Sequence, residues 1–426
     1  MIDESKDVVN NYSDTQVPES KTIKGWRVAI VVISINVGLS TFLNGAQVSS
    51  ALGLIDALWC SFWAGVILCI MGTLTSIASV RSRLNTYVLV QSSFGLKGAV
   101  IVNVMLAIVH LGWFGVNASF FGSALVAAIA EMYGWAGPFG IIVMVGSVFM
   151  AMTTIYGFGA INKLAVLAIP IMMVIFITVF VMSINQFGIV IEDATPDVAM
   201  TFGIALSTLV GSNLLTVAAM PDMSRFITTN RQAAFGMFLS FPIAIPLLTL
   251  LAAVPTMAVD DVNIMNIITG FGLGVPALLI LVLSTWTANS VNLYSYSLSL
   301  AATFKSVKPW LFTLVGALIG GAFAVVGIID SFVPFLLILG VIIPPVAAIY
   351  VIDCFLEFPE GYDPSRLKHG PAVHWLSIAT WLISSAVALA SMYGWFTLTT
   401  APAIDATLVA TVLYLILRRF GQAKSA

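Results

Sequence analysis

The sequence predicts an all-α membrane protein of about twelve transmembrane helices. Three observations carry that prediction. Charged residues make up 8% of the chain and hydrophobic residues 60%, against about a quarter charged in soluble domains, so there is too little charge to coat a water-facing surface. Apolar runs of roughly 20 residues, the length that crosses a hydrocarbon core, recur along the whole chain. The Lys and Arg residues also fall between these runs in a regular alternation. A soluble chain of 426 residues would divide into two or three domains, but a membrane bundle of this size is one unit.

In chain order, residues 1–25 are polar and acid-rich and lack the apolar core of a signal peptide. They read as a disordered cytosolic tail. Twelve spans follow at 26–50, 54–79, 98–129, 137–157, 160–184, 199–220, 232–258, 273–301, 309–329, 331–354, 373–395 and 401–418. Backbone groups in lipid must be bonded internally, so these runs are helices. They are too long and too uniformly apolar for the alternating ~10-residue strands of a barrel. Residues 81–97 mix polar and apolar types and fit a short helix on the inner face. Residues 355–372, rich in charge, Pro and Gly, form the longest inner loop and separate a ten-helix core (26–354) from a final pair (373–418). That pair carries few polar residues and reads as peripheral; 419–426 form a cytosolic tail.

With the N-terminus inside, all 17 Lys and Arg lie on the inner side, from Lys21, Lys24 and Arg27 before the first span to Arg418, Arg419 and Lys424 after the last. Lys163, Arg225, Arg231, Lys305, Lys308, Arg366 and Lys368 fall in the same alternation. The opposite loops hold only acids, among them Glu131, Glu192, Asp193, Asp197, Asp260, Asp261 and Asp330. The positive-inside rule then places both termini in the cytoplasm of an inner (plasma) membrane protein. Net charge is −2, which offers no basic patch for nucleic acid. Cys60, Cys69 and Cys354 sit in apolar runs without CxxC spacing and read as small apolar side chains.

Polar residues at membrane depth are the informative ones, because each must find a partner. The first span has a polar middle: Ser34, Asn36, Gly38, Ser40, Thr41, Asn44, Gly45 and Gln47. The sixth has Gly211, Ser212, Asn213 and Thr216, then Met220–Pro221–Asp222. Interrupted helices at corresponding positions of two halves point to a binding site at the repeat interface. The first and sixth spans open two five-helix sets, 26–184 and 199–354, and an odd repeat length makes these inverted repeats. Simple helix-packing polarity is the competing reading for either span alone.

His110, Trp113 and Asn117 share one face of the third span. Trp offers a flat platform for an aromatic ring, and an intramembrane His can hydrogen-bond a ligand or carry a proton; a core Trp beside a satisfied His is the competing reading. The eighth span carries Ser284, Thr285, Trp286, Thr287, Asn289, Ser290 and Asn292. Ser284, Thr287 and Ala288 share one face, whose oxygens can serve an ion; Thr285, Asn289, Asn292 and Tyr296 share another, whose amides can read a heterocycle edge. Ser and Thr can instead bond back to their own helix. The bilayer-centre segments lack Asp, Glu, Lys and Arg. That argues against a carboxylate relay or a charged solute and suits a neutral, planar, polar one. There is no Walker P-loop, nucleophile–base pair or metal constellation, so no enzyme and no cofactor is expected.

Several short runs carry a family resemblance: Ser93–Phe94–Gly95–Leu96–Lys97–Gly98, Gly112–Trp113–Phe114–Gly115–Val116, Asp222–Met223–Ser224–Arg225–Phe226, Trp286 to Ser297, and Ile343–Pro344–Pro345. In order and placement they resemble the nucleobase–cation symporter family 1, and within it the bacterial cytosine permeases. The resemblance implies a five-plus-five inverted repeat with two extra helices, alternating access, and a base stacked on Trp113 and read by Asn289 and Ser212. Three positions depart: His110 replaces a Gln, Asn213 an aromatic, and Leu215 a small hydroxyl residue. These departures turn the expectation from cytosine itself toward a purine, hydroxypyrimidine or related heterocycle.

For the coupling ion the resemblance implies sodium, held by carbonyls near Ser34 and Gly38 with Ser284 and Thr287. Ala288 stands where a hydroxyl is expected, which weakens sodium and brings in a proton with His110 as carrier. The expectation is thus a secondary importer of a nucleobase; a carrier of another neutral solute (a hydantoin, a vitamin-like pyrimidine, an amino acid) is the alternative. A channel or sensor is a more distant one.

Overall fold

The structure, a computed structural model, describes residues 16–155, 158–191, 200–304, 306–359, 361–362 and 370–423. Its helices are α1 (Gly25–Asn36), α2 (Leu39–Leu52), α3 (Leu54–Ser82), α4 (Thr86–Phe94), α5 (Gly98–Tyr133), α6 (Phe139–Ile155), α7 (Phe158–Phe187), α8 (Phe202–Ala218), α9 (Pro221–Ser224), α10 (Asn230–Phe238), α11 (Ala244–Val259), α12 (Ile264–Gly270), α13 (Gly274–Thr303), α14 (Pro309–Val325), α15 (Phe332–Leu356), α16 (Trp375–Met392) and α17 (Pro402–Ala423). A π-turn, Leu239–Ile243, joins α10 to α11. Each predicted span coincides with a helix or a pair of helices in register.

By length and apolarity alone, seven of the described helices can cross a membrane: Leu54–Ser82, Gly98–Tyr133, Pro170–Phe187, Asn230–Val259, Ala277–Ala301, Ile328–Leu356 and Trp375–Met392. Phe139–Ile155, Phe202–Ala218 and Pro309–Val325 are apolar but shorter. The first span misses that length because it is broken into α1 and α2.

The two halves repeat one order. A segment interrupted toward one end (α1–α2; α8–α9) is followed by a long helix (α3; α10–α11), a short helix (α4; α12) and three long helices (α5–α7; α13–α15). The short helix between residues 81 and 97 was expected. Its counterpart α12 was not, because seven residues are too few to show a helical period. Asp260 in the left-handed region and the Asn263 side chain, which accepts from the Met265 N–H, start it.

Packing falls into two groups. α5 and α13 pack most extensively, with α14 against both and α7 along α13. α8 packs on α3, and α11 on α2 and α3. Without a hydrophobic drive between helices in lipid, small residues let them approach. A Cβ on Gly316, Gly320 or Gly115 would strike Tyr296, Phe114 or Phe323 respectively.

Two expectations need correction. Residues 16–24 are part of the folded body rather than tail: Ile23 pairs with Ile227, the Val17 N–H bonds the Arg83 carbonyl, and the Gln16 amide bonds the Ser82 carbonyl. Residues 1–15 lie outside the described residues, as do Glu192, Asp193, Asp197, Lys305, Arg366, Lys368 and Lys424. The final pair is also tied firmly to the core. Asp353 of α15, 4% exposed at its side chain, bonds Arg418 of α17 at 3.3 Å and the Tyr414 hydroxyl at 3.0 Å, while Arg418 also meets Glu357 at 2.8 Å. Ser377 of α16 bonds both the Ser93 carbonyl at the end of α4 and Tyr414. Trp381 donates to the Ile342 carbonyl at 2.9 Å. Apolar sequence around these few groups hid them.

A buried ion pair stripped of one partner costs on the order of 3 kcal/mol. Arg418→Leu is therefore expected to lower the detergent melting temperature, and Asp353→Asn made with it to recover part of the loss. Thermal unfolding of the two single variants and the double variant measures this; strictly additive losses would mean the pair contributes nothing.

Candidate functional site

The first span breaks at Val37–Gly38. α1 ends at Asn36, Val37 and Gly38 are extended (Gly38 φ −161°, ψ 168°), and α2 starts at Leu39. A break of this kind exposes carbonyls at one helix end and N–H groups at the next, with opposite partial charges facing each other. The predicted carbonyls around Ser34 and Gly38 are at this break; the Ser34 side chain lies outside the described residues, and Gly38 is half-buried. Around it, the Asn36 Nδ2, Asn44 Oδ1 and Gln47 Oε1 atoms are buried with no hydrogen-bond partner among the described residues.

The interruption expected at Ser212–Asn213 falls later in the chain. α8 runs unbroken through both residues and ends at Ala218, ahead of the single turn α9. The reason is packing. A Cβ at Gly211 would lie 2.2 Å from the Leu336 carbonyl, so this glycine serves close approach of α15 rather than a bend. Tyr350 of α15 donates to the Ala218 carbonyl and closes the helix end. Ser212 bonds the Leu209 carbonyl at 2.8 Å, Asn213 Nδ2 bonds Ser212 at 3.0 Å, and Asn213 Oδ1 is buried without a partner.

On α5, Trp113 is 9% exposed, with Phe332 and Phe335 of α15 edge-on to it at 6.3 and 5.5 Å between ring centres. Both phenyl rings stand nearly perpendicular to the indole, a T-shaped arrangement that aromatic pairs prefer. Asn117 donates to the Trp113 carbonyl. His110, one turn earlier and half-buried, meets Asn292 of α13 across the helix pair, Nδ1 to Oδ1 at 3.5 Å.

α13 divides its polar residues between two directions. Asn289 is fully buried and turned to α6, its Nδ2 on the Met150 sulfur at 3.5 Å and its Oδ1 unpartnered. Trp286 donates to Thr153 there, and Thr154 to the Ser290 carbonyl. Thr287 bonds back to the Leu283 carbonyl, Ser284 is buried, and Ala288 is exposed. The structure therefore joins His110 to Asn292 and Ser212 to Asn213, and ties Asn289 to α6 rather than to α5. Asn292 was visible in sequence only as one of several polar residues. Phe332 and Phe335 gave no signal, being aromatics within an apolar run.

Charged side chains tie the loops after α3 and α9 together. Asp222 accepts from the Thr86 N–H at 2.9 Å, and Arg83 donates to the carbonyls of Arg225, Ile227 and Thr228. Burial pulls the Arg225 guanidinium below its usual range, and Asp222 works against that. Burial likewise lowers Arg83, with Glu19 opposing.

Broken helix, aromatic platform and unpartnered polar atoms inside an apolar bundle define a membrane transporter of the broken-helix class, not an enzyme. Residues 16–362 match the family described as "Permease for cytosine/purines, uracil, thiamine, allantoin". The chain is 23% identical to the cytosine permease of Escherichia coli (strain K12) over 410 residues, 96% of this chain and 94% of that one. Its fold matches Mhp1, described as a nucleobase–cation–symport-1 family transporter. The TM-score is 0.85 for the inward-facing conformation (98% of this chain, 95% of the other) and 0.81 for a closed conformation with bromovinylhydantoin bound (97% and 96%), each at 18% identity. The chain belongs to the nucleobase–cation symporter family of multi-pass membrane permeases.

A Cβ on Gly112 would come within 2.5 Å of the Phe335 ring that walls Trp113. Displacing a binding wall by about an ångström can cost up to about a hundredfold in rate. Gly112→Ala is expected to cut substrate uptake by at least about tenfold at unchanged expression, whereas Gly270→Ala, with nothing within 4 Å, leaves uptake intact. Equal uptake by the two variants would mean that the Phe335 wall does not shape the site.

Proposed function

We propose that this chain is a cation-coupled secondary importer of a nucleobase or closely related heterocycle, working by alternating access in the inner membrane with both termini in the cytoplasm. The observation that carries the proposal is Trp113, set against Phe332 and Phe335 and one turn from the His110–Asn292 pair. A flat ring stacks on the indole while polar groups beside it read its edge. His110, Asn292, Ser212, Asn213 and Asn289 are the edge-reading candidates. The unpartnered Asn36, Asn213 and Asn289 atoms support a polar ligand, because buried polar groups without partners are rare in native structures.

The ten-helix core then acts as inverted repeats 26–184 and 199–354, with α16 and α17 as an added pair. α2 and α12 pack on α5, while α1 packs on α9, α10 and the π-turn. A ligand shifts the balance of states only by binding one better than the other.

Sodium would take carbonyls near Ser34 and Gly38 with the Ser284 and Thr287 hydroxyls, as a hard cation wants oxygen. Ala288 supplies none. A proton on His110 is the second reading, favoured by the absence of any Asp, Glu, Lys or Arg in α2, α8 and α13.

The relatives' names support the substrate class: one is a cytosine permease, and another was solved with a hydantoin bound. Its test is binding of labelled cytosine, uracil, adenine, guanine, hypoxanthine, hydantoin and several amino acids to purified protein, with and without sodium, at two pH values. One base is expected to bind saturably. Trp113→Ala should weaken it roughly tenfold or more, since stacking on an aromatic is worth about 1–3 kcal/mol per base. Sodium dependence, or pH dependence lost in His110→Gln, names the ion. Saturable binding of an amino acid and of no base would overturn the nucleobase assignment.

A further inference from the structure

We infer that Asn292 fixes His110 as its Nδ1–H tautomer, so that the site presents the bare Nε2 lone pair and selects a heterocycle with a ring or exocyclic N–H at that position. The selection of substrate rests on the function proposed above; the tautomer does not. His110 Nδ1 faces the Asn292 side-chain oxygen at 3.5 Å, the outer reach of a hydrogen bond. An amide oxygen has no hydrogen to give, so the proton of that contact must come from the imidazole. A neutral ring carries one N–H. Placing it on Nδ1 leaves Nε2 as an acceptor.

No hydrogen bond to Nε2 is present among the described residues, so this lone pair is the acceptor left for an incoming molecule. It belongs to the same helix face as the Trp113 platform, one turn away. The consequence is chemical. A glutamine amide at this point would offer both a donor and an acceptor and accept either kind of edge. A histidine locked by Asn292 offers an acceptor alone. A base that turns a ring-nitrogen lone pair toward it meets two lone pairs face to face, while one that turns an N–H meets a partner. Asn292 is thus a positioning residue acting through His110, and His110 sets specificity.

Two measurements test this. The chain has three histidines, His110, His369 and His374. In protein labelled with 15N-histidine, nitrogen shifts report the tautomer directly, and His110→Gln identifies the His110 signals by subtraction. The expected spectrum near neutral pH has a protonated Nδ1 and an unprotonated Nε2 for His110. Asn292→Asp, which keeps an acceptor oxygen, retains that pattern, and Asn292→Leu loses it to a mixture. An Nε2–H ring, or a pattern unmoved by Asn292→Leu, overturns the inference whether or not any base binds.

The second measurement compares uracil, 1-methyluracil and 3-methyluracil, and cytosine, hypoxanthine and hydantoin with their singly N-methylated forms. Of the base that binds, one methylated form is expected to lose at least tenfold in affinity for the wild type and regain most of it in His110→Ala. Equal loss in both proteins would overturn the selection by Nε2. Failure of all bases to bind would remove the proposed function and its substrate selection, leaving the tautomer to the spectrum.

Discussion

Every backbone N–H and C=O in hydrocarbon has to find a partner within the protein, which is why membrane spans are helices. The helical ladder is interrupted at Val37–Gly38, where two extended residues part α1 from α2, although the Val37 N–H still reaches the Ile33 carbonyl and the Phe42 N–H the Gly38 carbonyl. Unpaired backbone at that depth is tolerable only where surrounding protein shelters it or water and solute reach it. The rest of the bundle can be understood as that shelter. α11 and α3 pack on α2, and α8, α5 and α12 also touch it.

The sheltering helices do two different things. One group is drawn tight by small residues. α14 meets α5 and α13 through Gly316 and Gly320, with an aromatic ring lodged against each glycine. Such an interface has one good register and resists sliding. The other side adds side-chain to carbonyl bonds to its own glycine contacts (Gly45, Gly65 and Gly211), as where Arg83 reaches across to Arg225, Ile227 and Thr228 or Tyr350 caps α8. Those bonds are directional and few.

The fold was largely legible in sequence, because transmembrane length and charge sidedness act on whole segments. The break in the first span was legible too, from Asn36 and Gly38 in an otherwise apolar run. Reading the same signal at Gly211–Asn213 placed a break where there is none. Glycine serves bends and close approaches alike, and only the position of the Leu336 carbonyl tells which. Site residues were harder. Trp113 and His110 stand out by type, but which of Asn289 and Asn292 meets His110 depends on the rotation of α13, and sequence spacing of three leaves both on nearly one face. The anchoring of the last two helices was illegible for another reason. Tyr414 and Arg418 are one helical turn apart, but Asp353 is distant from both in sequence, and its meeting with them is a property of the packed bundle alone.

The short helix α4 has a consequence that concerns distance. Its first N–H is held by Asp222, at the turn where α8 gives way to α9. Its far end is held by α16, through the Ser377 hydroxyl on the Ser93 carbonyl and the His374 N–H on the Phe94 carbonyl. Nine residues of helix measure about 13 Å. α4 is therefore a gauge of fixed length strung between the α8–α9 turn and the C-terminal pair. Any tilt of one relative to the other must swing this gauge, stretch a carboxylate–amide bond at one tip, or unhook a hydroxyl at the other.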